Sequence, residues 1–504
     1  MNNNKSKIIS TEKLKKIKIK NKKIILCHGV FDVLHYGHLN HFEFAKKKAQ
    51  HLVVSVTTDK FVNKGPNRPI NNINHRIRML SNLSIVDNIV CSDSSSAVEI
   101  IKLLKPNFYL KGEEYLNKKN DIAGNLNKEK LACKGNNVKM IYSYGPVSSS
   151  SEIINKSSLG YSKTKRFLSI LRKKLSNDKV KEMFKIINSK KILVIGETII
   201  DRYLFSEVVG KSGKEPMLVL TEKSKKDYIG GAASIAKQVS SLCEKTSFLS
   251  CLGENKNYLK TINNYLGNVK AKYIFKSNSP TILKTRYVDE TSNTKMLGVY
   301  KINDIQLNKP NENQTLNFLK NKINKYDLVI VSDYGHGFLT KKISKLISTK
   351  SKKLSVNCQI NANNNGLHSI QKYRNPDCVL INESEMRNEM RDRYSDSKIL
   401  IKKLSSHLKA KNVIVTQGTE GALFYQRKTN KTIRVPAFGK IVKDKVGAGD
   451  LFLAVFSIFS LVSKEKDFAL YAGSLSAAEA IKDFGNTKIL SKKNLENQVL
   501  YNLK

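Results

Sequence analysis

The sequence is short of acidic residues, of paired cysteines and of long apolar runs, and each shortage removes a class of protein. Its 504 residues carry 42 Asp and Glu against 89 Lys and Arg, a formal charge of +47. The seven cysteines (Cys27, Cys91, Cys133, Cys243, Cys251, Cys358, Cys378) are odd in number and scattered, with no Cys-x-x-Cys pair. That pattern excludes a disulfide framework or a zinc ribbon and reads as a protein of the reducing cytoplasm. No uninterrupted apolar run approaches the roughly 20 residues that cross a bilayer. The start, MNNNKSKIISTEKLKKIKIKNKK, holds no apolar signal-peptide core, so neither membrane insertion nor secretion is expected. At 40% hydrophobic the chain is too apolar for a disordered polycation and long enough for two or three cores.

The charge raises the class of nucleic-acid binders, because clustered Lys and Arg neutralise phosphates. The excess here is nearly all Lys, spread from end to end among Asn and Ile rather than gathered with Arg and aromatics on one face. A solvated Lys-rich surface with no specific nucleic-acid partner is therefore the expectation, and a basic nucleic-acid-associated protein stands as the alternative of a different class. A field of this sign steers anionic nucleotides and sugar phosphates toward a cleft in either case.

Along the chain, KIILCHGVFDV, HLVVSVTTD, DNIVCS, NFYLKG and VKMIYSY read as strands, separated by helical patterns such as HLNHFEFAKKKAQ, HRIRMLSNL and AVEIIKLLK. This alternation predicts a doubly wound parallel α/β sheet over residues 20–156. Residues 157–189 read as a charged helical linker without strand signal. A second α/β series opens with KILVIGETIIDRY and continues through DLVIVSDYGHG, KLSVNCQ, DCVLINESE and NVIVTQGTEGALFY to VKDKVGAGDLFLAVFSIFSLV, giving a second doubly wound domain over 190–504.

Two strings carry chemistry. In GVFDVLHYGHLNHF, His35 and His38 flank Tyr36 and Gly37 where a helix begins. Imidazoles beside the free amides and positive dipole end of a helix make a polyphosphate site, and they stabilise charge that builds on phosphate oxygens without any covalent nucleophile. Gly29 and Gly37 permit close backbone approach. Taken alone, the pattern also fits two surface histidines beside a turn. In DKVGAGDLFLAVF, Gly447, Ala448 and Gly449 leave successive amides free ahead of an apolar helix, an anion hole for a transferring phosphoryl group, and Asp450 can take the proton of an attacking hydroxyl. Taken alone, this string fits an ordinary glycine-rich turn.

The surrounding strings make both readings more specific. GVFDVLHYGHL, KGPNRPI, HRIRML, YLKGEEY and SSSSEII, in this order over residues 24 to 156, resemble nucleotidyltransferases of the cytidylyltransferase type, most closely the adenylyltransferase half of the bifunctional heptose-phosphate enzymes. The resemblance implies in-line attack of a sugar 1-phosphate on the α-phosphorus of ATP, with Mg²⁺ assisting. It places His35 and His38 on the phosphates, Lys64 and Arg76 on the triphosphate, and Lys111 with Gly112 beside the nucleotide. Gly29 and Phe31 join the nucleotide-binding set, and Ser149, Ser150 and Ser151 would cap the final helix and offer hydroxyls and amides to phosphate. His28 stands where Thr or Asn is usual.

GETIIDRY, GGAASIA, SDYGHG, the Asn-x-x-Glu of INESE, TQGTEGA and DKVGAGD resemble the ribokinase-like (PfkB) carbohydrate kinases from residue 190 to the end. That resemblance assigns Asp450 as base and Gly447, Ala448 and Gly449 as anion hole. Asn382 and Glu385 fall near Mg²⁺ and the phosphates, Thr416, Gly418 and Gly421 along ATP, and Asp201, Gly230 and Gly231 on sugar hydroxyls. Ser234 stands where the heptose kinase has Asn, His336 where it has Lys, and KLSVNCQINANNNG replaces its Asp-Pro-Lys segment. The domain order is the reverse of the familiar bifunctional enzyme.

Together these imply a cytoplasmic bifunctional enzyme using ATP with Mg²⁺. Its second domain would phosphorylate the anomeric hydroxyl of a sugar phosphate, D-glycero-D-manno-heptose 7-phosphate being favoured, and its first would adenylylate the product. The alternative within the same chemistry is CTP as donor with another sugar or polyol phosphate. No residue is assigned to a resident metal, the expected partners are small molecules rather than membrane, and homo-oligomerisation is left open.

Overall fold

A computed structural model describes residues 5–17, 22–64, 68–116, 121, 124–144, 162–361, 364, 366–439, 442–444, 446–482 and 489–503. The chain forms two compact units, Met1–Arg172 with Glu496–Lys504, and Lys173–Leu495.

In the first unit the strands are β1 (Ile8–Ile9), β2 (Ile24–Gly29), β3 (His51–Thr57), β4 (Asn88–Ser92), β5 (Phe108–Gly112) and β6 (Lys139–Ser143). They make one sheet in the order β1-β4-β3-β2-β5-β6, parallel throughout. Strand period two divides the core. Leu26, Val53, Val90 and Tyr109 pack against Ile100 and Ile101 on one face, and Ile25, Val54, Ile89 and Leu110 pack against Phe42, Ala45 and Leu80 on the other. Burial on both faces explains why these strands read as continuous apolar runs. Chain order reverses between β2 and β5, and the carboxyl ends at such a reversal frame a crevice.

The second unit is built on β7 (Lys191–Lys211), a strand long enough to serve two sheets. Its first part joins β9 (Lys245–Gly253) and β13 (Leu328–Asp333) in a sheet ordered β10-β9-β7-β13-β14-β15-β16-β17-β18. There β10 is Lys270–Lys276, β14 Leu354–Cys358, β15 Cys378–Asn382, β16 Asn412–Thr416, β17 Ala422–Gln426 and β18 Lys431–Val435, with only the β16–β17 and β17–β18 pairings antiparallel. Beyond Thr198, β7 leaves this sheet and pairs with β8 (Leu218–Gly230) and β11 (Ile282–Asp289), the latter carrying β12 (Lys295–Lys301). This side sheet is absent from the sequence reading, because β8 and β12 are mostly exposed and their Lys-rich strings carry no core alternation.

Helix α1 (Ala448–Val462) has ten consecutive buried residues, Asp450 to Phe459, as its unbroken apolar string requires. The preceding charged segment holds a helix, Asn177–Ile186, whose Val180, Met183 and Phe184 are buried, and Phe184 meets Phe459 edge to face at 4.9 Å. Among the described residues no helix is long and apolar enough to cross a membrane.

Candidate functional sites

The first site lies at the carboxyl ends of β2 and β5. Gly29 ends β2, and a Cβ there would lie 3.2 Å from the Phe31 ring, which is buried with Phe31 in the left-handed region at φ 50°. His35 caps the helix Tyr36–Lys48 with its own ring, Nδ1 accepting from the Gly37 amide at 3.1 Å. That bond leaves the proton on Nε2, a buried atom with no hydrogen-bond partner among the described residues. The His38 ring lies 3.9 Å from the His35 ring, centre to centre. Burial, then the neighbouring His35, His41 and Lys64, push His38 down to about 3, and burial lowers His35. Both imidazoles are thus neutral N–H donors at pH 7.

Burial and then the charge of Lys111 lower His28 and His41 to about 4 each. His28 Nδ1 is 3.0 Å from Ser55 Oγ, and His41 Nδ1 is 2.7 Å from Ser143 Oγ. Lys111 and Gly112 end β5, beside β2, where Lys111 pairs with buried Glu129 at 2.8 Å and lies 4.6 Å from the centre of the Tyr115 ring. Burial opposes the Lys111 charge, but Tyr109 and Glu129 outweigh it and its pKa is raised.

Arg76 is placed differently from a triphosphate ligand. It is fully buried, and its guanidinium donates to the carbonyls of Asn71 (2.9 Å), Val30 (2.6 Å) and Thr57 (2.8 Å) and pairs with Asp59. It therefore ties the loop after β2 to the end of β3. Asp32, whose carboxylate accepts from the Ile70 and Asn71 amides at 2.9 Å each, fastens the same loop from the other side. Lys64 lies near enough to His38 to depress it. Ser149, Ser150 and Ser151 lie outside the described residues.

In the second unit, Gly447 caps α1 in the left-handed region at φ 79°, followed by Ala448, Gly449 and Asp450 in its first turn. The buried Asp450 carboxylate accepts from Tyr334 OH (2.9 Å), Asn357 Nδ2 (2.8 Å), Ser332 Oγ (3.2 Å) and Gln359 Nε2 (3.3 Å). Burial raises its pKa and these donors offset part of the rise. The sequence reading missed all four donors. Ser332 and Asn357 are opposed in the β13–β14 register, a pairing that appears only once the strands are aligned.

Asp201, on β7, pairs with Arg286 on β11, and a Cβ on Gly230 would lie 2.2 Å from its Oδ2, so only glycine leaves that carboxylate in place. Gly231 follows at φ 61° and starts the next helix. Buried Lys284, lowered by desolvation, and Tyr334 complete this side, Tyr334 being within electrostatic reach of both Asp201 and Asp450. Glu197 accepts from the Tyr334 and His336 amides (3.1 and 3.2 Å), its pKa raised by burial and then by Asp333. His336 is buried, its Nδ1 2.7 Å from Asp304 Oδ1.

Asn382 and Glu385 form a capping box for helix Glu383–Met390, each accepting the other's backbone amide (2.8 and 3.0 Å). The Glu385 carboxyl also accepts from the Ile360 amide at 3.2 Å, and it is raised by burial and by the charge of Asp450. Two buried carboxylates that repel each other are a setting a divalent cation relieves. Thr416 ends β16 opposite Asn382. Gly418 has open space at its Cβ position, whereas a Cβ on Gly421 would lie 2.1 Å from the Val435 carbonyl, so Gly421 is required by the chain itself.

Each unit therefore sets ionisable groups and a helix start at the carboxyl edge of a parallel sheet, the arrangement of nucleotide-handling α/β domains. Residues 189–493 match the family model for pfkB family carbohydrate kinases, and residues 26–156 match the cytidylyltransferase-like model. The chain belongs to the pfkB carbohydrate kinase family and carries a cytidylyltransferase-like domain ahead of the kinase domain. It is 26% identical over 298 residues to the bifunctional protein HldE of a Nitratiruptor species, covering 58% of this chain and 62% of that one. To the HldE of Campylobacter fetus subsp. fetus it is 39% identical over 115 residues, 22% of this chain and 25% of the relative. The chain thus spans under two thirds of the length of these relatives. Arabidopsis thaliana ribokinase, solved with ribose and ATP, covers 63% of this chain and 99% of its own at 18% identity and a TM-score of 0.48.

Proposed function

We propose that the protein is a bifunctional sugar-activating enzyme, a sugar kinase joined to a nucleotidyltransferase. The observation that carries this is Asp450, a buried carboxylate oriented by four neutral donors in the first turn of a helix that opens on Gly447. In the kinase step, the anomeric oxygen of a sugar phosphate attacks the γ-phosphorus of ATP, Asp450 takes its proton, and ADP leaves with the electrons of the broken P–O bond. Free amides at Gly447, Ala448 and Gly449 face the phosphoryl charge, while Asp201, with Gly230 and Gly231, holds sugar hydroxyls. Asn382, Thr416 and Gly418 lie along ATP. Glu385 would hold Mg²⁺, which neutralises phosphate charge when bound.

In the second step the new sugar 1-phosphate attacks the α-phosphorus of another ATP and pyrophosphate leaves. The neutral His35 and His38 donate to the charge that develops, and Lys64 and Lys111 offset the triphosphate. Gly29, Phe31 and Gly112 shape the nucleotide seat, and Ser149, Ser150 and Ser151 belong to the phosphate contacts. Arg76 serves this site by fixing its loop. The favoured acceptor is D-glycero-D-manno-heptose 7-phosphate, and the setting is the cytoplasm.

Incubating the protein with ATP or CTP, Mg²⁺ and a panel of sugar phosphates, with products identified by mass, tests the whole reading. An ADP-sugar from heptose 7-phosphate is expected. A CDP-sugar, or activity on another phosphate alone, would overturn the donor or the acceptor, and no turnover with any of them would overturn the assignment.

A further inference from the structure

On the sheet face opposite Asp450, three side chains of different chemistry converge. Strand side chains alternate, so the register pair Ser332 and Asn357 faces Asp450, and the next pair, Asp333 and Cys358, points the other way. There Cys358 Sγ lies 2.9 Å from His368 Nε2, and His368 Nε2 lies 3.3 Å from Asp333 Oδ1. The three atoms all lie within 4.8 Å of one another, with Asp333 and Cys358 buried.

This is not the geometry of a nucleophile, a base and an orienting acid. In such a relay the imidazole uses both ring nitrogens, one toward the thiol and one toward the carboxylate. Here Sγ and Oδ1 both approach Nε2, and a single nitrogen has only one proton or one lone pair to give. Atoms that share one point are satisfied together by a cation placed there.

We propose that Asp333, Cys358 and His368 form a binding site for a borderline-soft divalent metal, Zn²⁺ being the ion that suits one sulfur, one imidazole and one carboxylate. One oxygen of Asp333, Oδ2, is engaged by Lys372 Nζ and Tyr373 OH, both at 2.6 Å, and Oδ1 accepts from the Gly335 amide at 3.1 Å, which fixes the carboxylate and leaves the second lone pair of Oδ1 for the metal. The thiol proton leaves to solvent as the Zn–S bond forms, so thiolate and carboxylate bring two negative charges to the ion while the Lys372 ammonium stays on the carboxylate's other oxygen. A groove of about 680 Å³ that His368 lines with Ile360, Gly366, Ser369 and Glu389 provides the way in and space for a water as fourth ligand. Bound metal would pin the segment that carries His368 to the ends of β13 and β14.

The test uses the tag-free full chain, reduced and stripped of metal with a chelator. Titration with Zn²⁺ against a chromophoric competitor is expected to show one tight equivalent in the wild type, weakened at least tenfold in both Cys358→Ser and His368→Gln. His368→Gln lies outside the strands, so it separates ligand loss from any folding defect of Cys358→Ser. X-ray absorption of the loaded wild type should show one sulfur at about 2.3 Å with nitrogen and oxygen at about 2.0–2.1 Å. Absence of a tight equivalent, its retention in both variants, or a zinc shell without sulfur would overturn the site.

Discussion

Asp450 acts through a proton that four neighbours help it to hold off. Asp450→Asn keeps the shape and most of the hydrogen bonds but cannot accept a proton, so phosphorylation should fall about 10²- to 10⁴-fold, with nucleotidyl transfer to supplied sugar 1-phosphate unchanged. Separate assays of ADP and pyrophosphate release check this. Its carboxyl is raised, and a base works only when deprotonated, so the kinase rate should decline on acidification at a pH above the ordinary carboxylate range. Removing the Tyr334 hydroxyl, which favours the charged form at 2.9 Å, should move that decline to still higher pH in Tyr334→Phe. A pH–rate profile of wild type and variant reads the shift. At the other site, His35→Ala or His38→Ala should cost about 10²- to 10³-fold in nucleotidyl transfer, the loss seen for oxyanion-type donors. Pyrophosphate release at the wild-type rate would refute it. His38 is already neutral above about 3, so its titration should leave no inflection in that rate between pH 5 and 8.

At the scale of elements, the same burial that makes these imidazoles useful makes the first unit acid-sensitive. His28, His38 and His41 titrate at about 4, 3 and 4 in the folded chain against roughly 6.5 unfolded. Between these values the unfolded chain binds more protons, so stability is full above pH 6.5 and falls as pH drops. The loss is about 2 kcal/mol for each at pH 5, at 1.36 kcal/mol per unit. The urea midpoint of the first unit, followed by limited proteolysis at pH 7.5 and 5, should fall accordingly. An unchanged midpoint would show that these rings are solvated. The glycines of the TQGTEGA turn separate in the same way. Gly421→Ala must displace the Val435 carbonyl 2.1 Å away and should unfold the β17–β18 end, whereas Gly418→Ala meets open space. Gly418→Ala should therefore cost about 1 kcal/mol of backbone strain, and a raised KM for ATP in that variant would mark a nucleotide contact.

At the scale of the whole molecule, each unit carries its own parallel sheet and its own apolar core. Domains with separate cores fold separately, and a cut near Lys163, inside the helix Ser162–Lys174 and ahead of the unit boundary at Arg172, keeps the second unit whole, so the fragment after it should be soluble and active on its own step. Because Glu496–Lys504 groups with the first unit, a second fragment ending at Leu495 should keep kinase activity too. Activity that returns only on remixing would show a shared site. The net charge of +47 makes a further prediction: binding to nucleic acid should be weak, indifferent to sequence and abolished by salt. Sequence-specific binding that survives high salt would favour the nucleic-acid reading instead.

What the sequence determined by itself was the part governed by local pattern: apolar strand runs alternating with helices, and glycine-flanked strings that set His35, His38 and Asp450 at helix starts. Spacing alone suffices there, because a helix start and its cap are made within a few residues. The tertiary structure decided which charged residues serve structure and which are left for ligands. Arg76 reads as a phosphate ligand in its string, yet its buried guanidinium is turned to three carbonyls and Asp59. Asn382 and Glu385 read as a metal and phosphate pair and also close a capping box. Conversely, Tyr334, Asn357 and Gln359 reach Asp450 from 91 to 116 residues away, and Asp333 meets Cys358 only through the register of β13 and β14. Contacts of that kind depend on strand pairing and side-chain alternation across the fold, which no local pattern encodes.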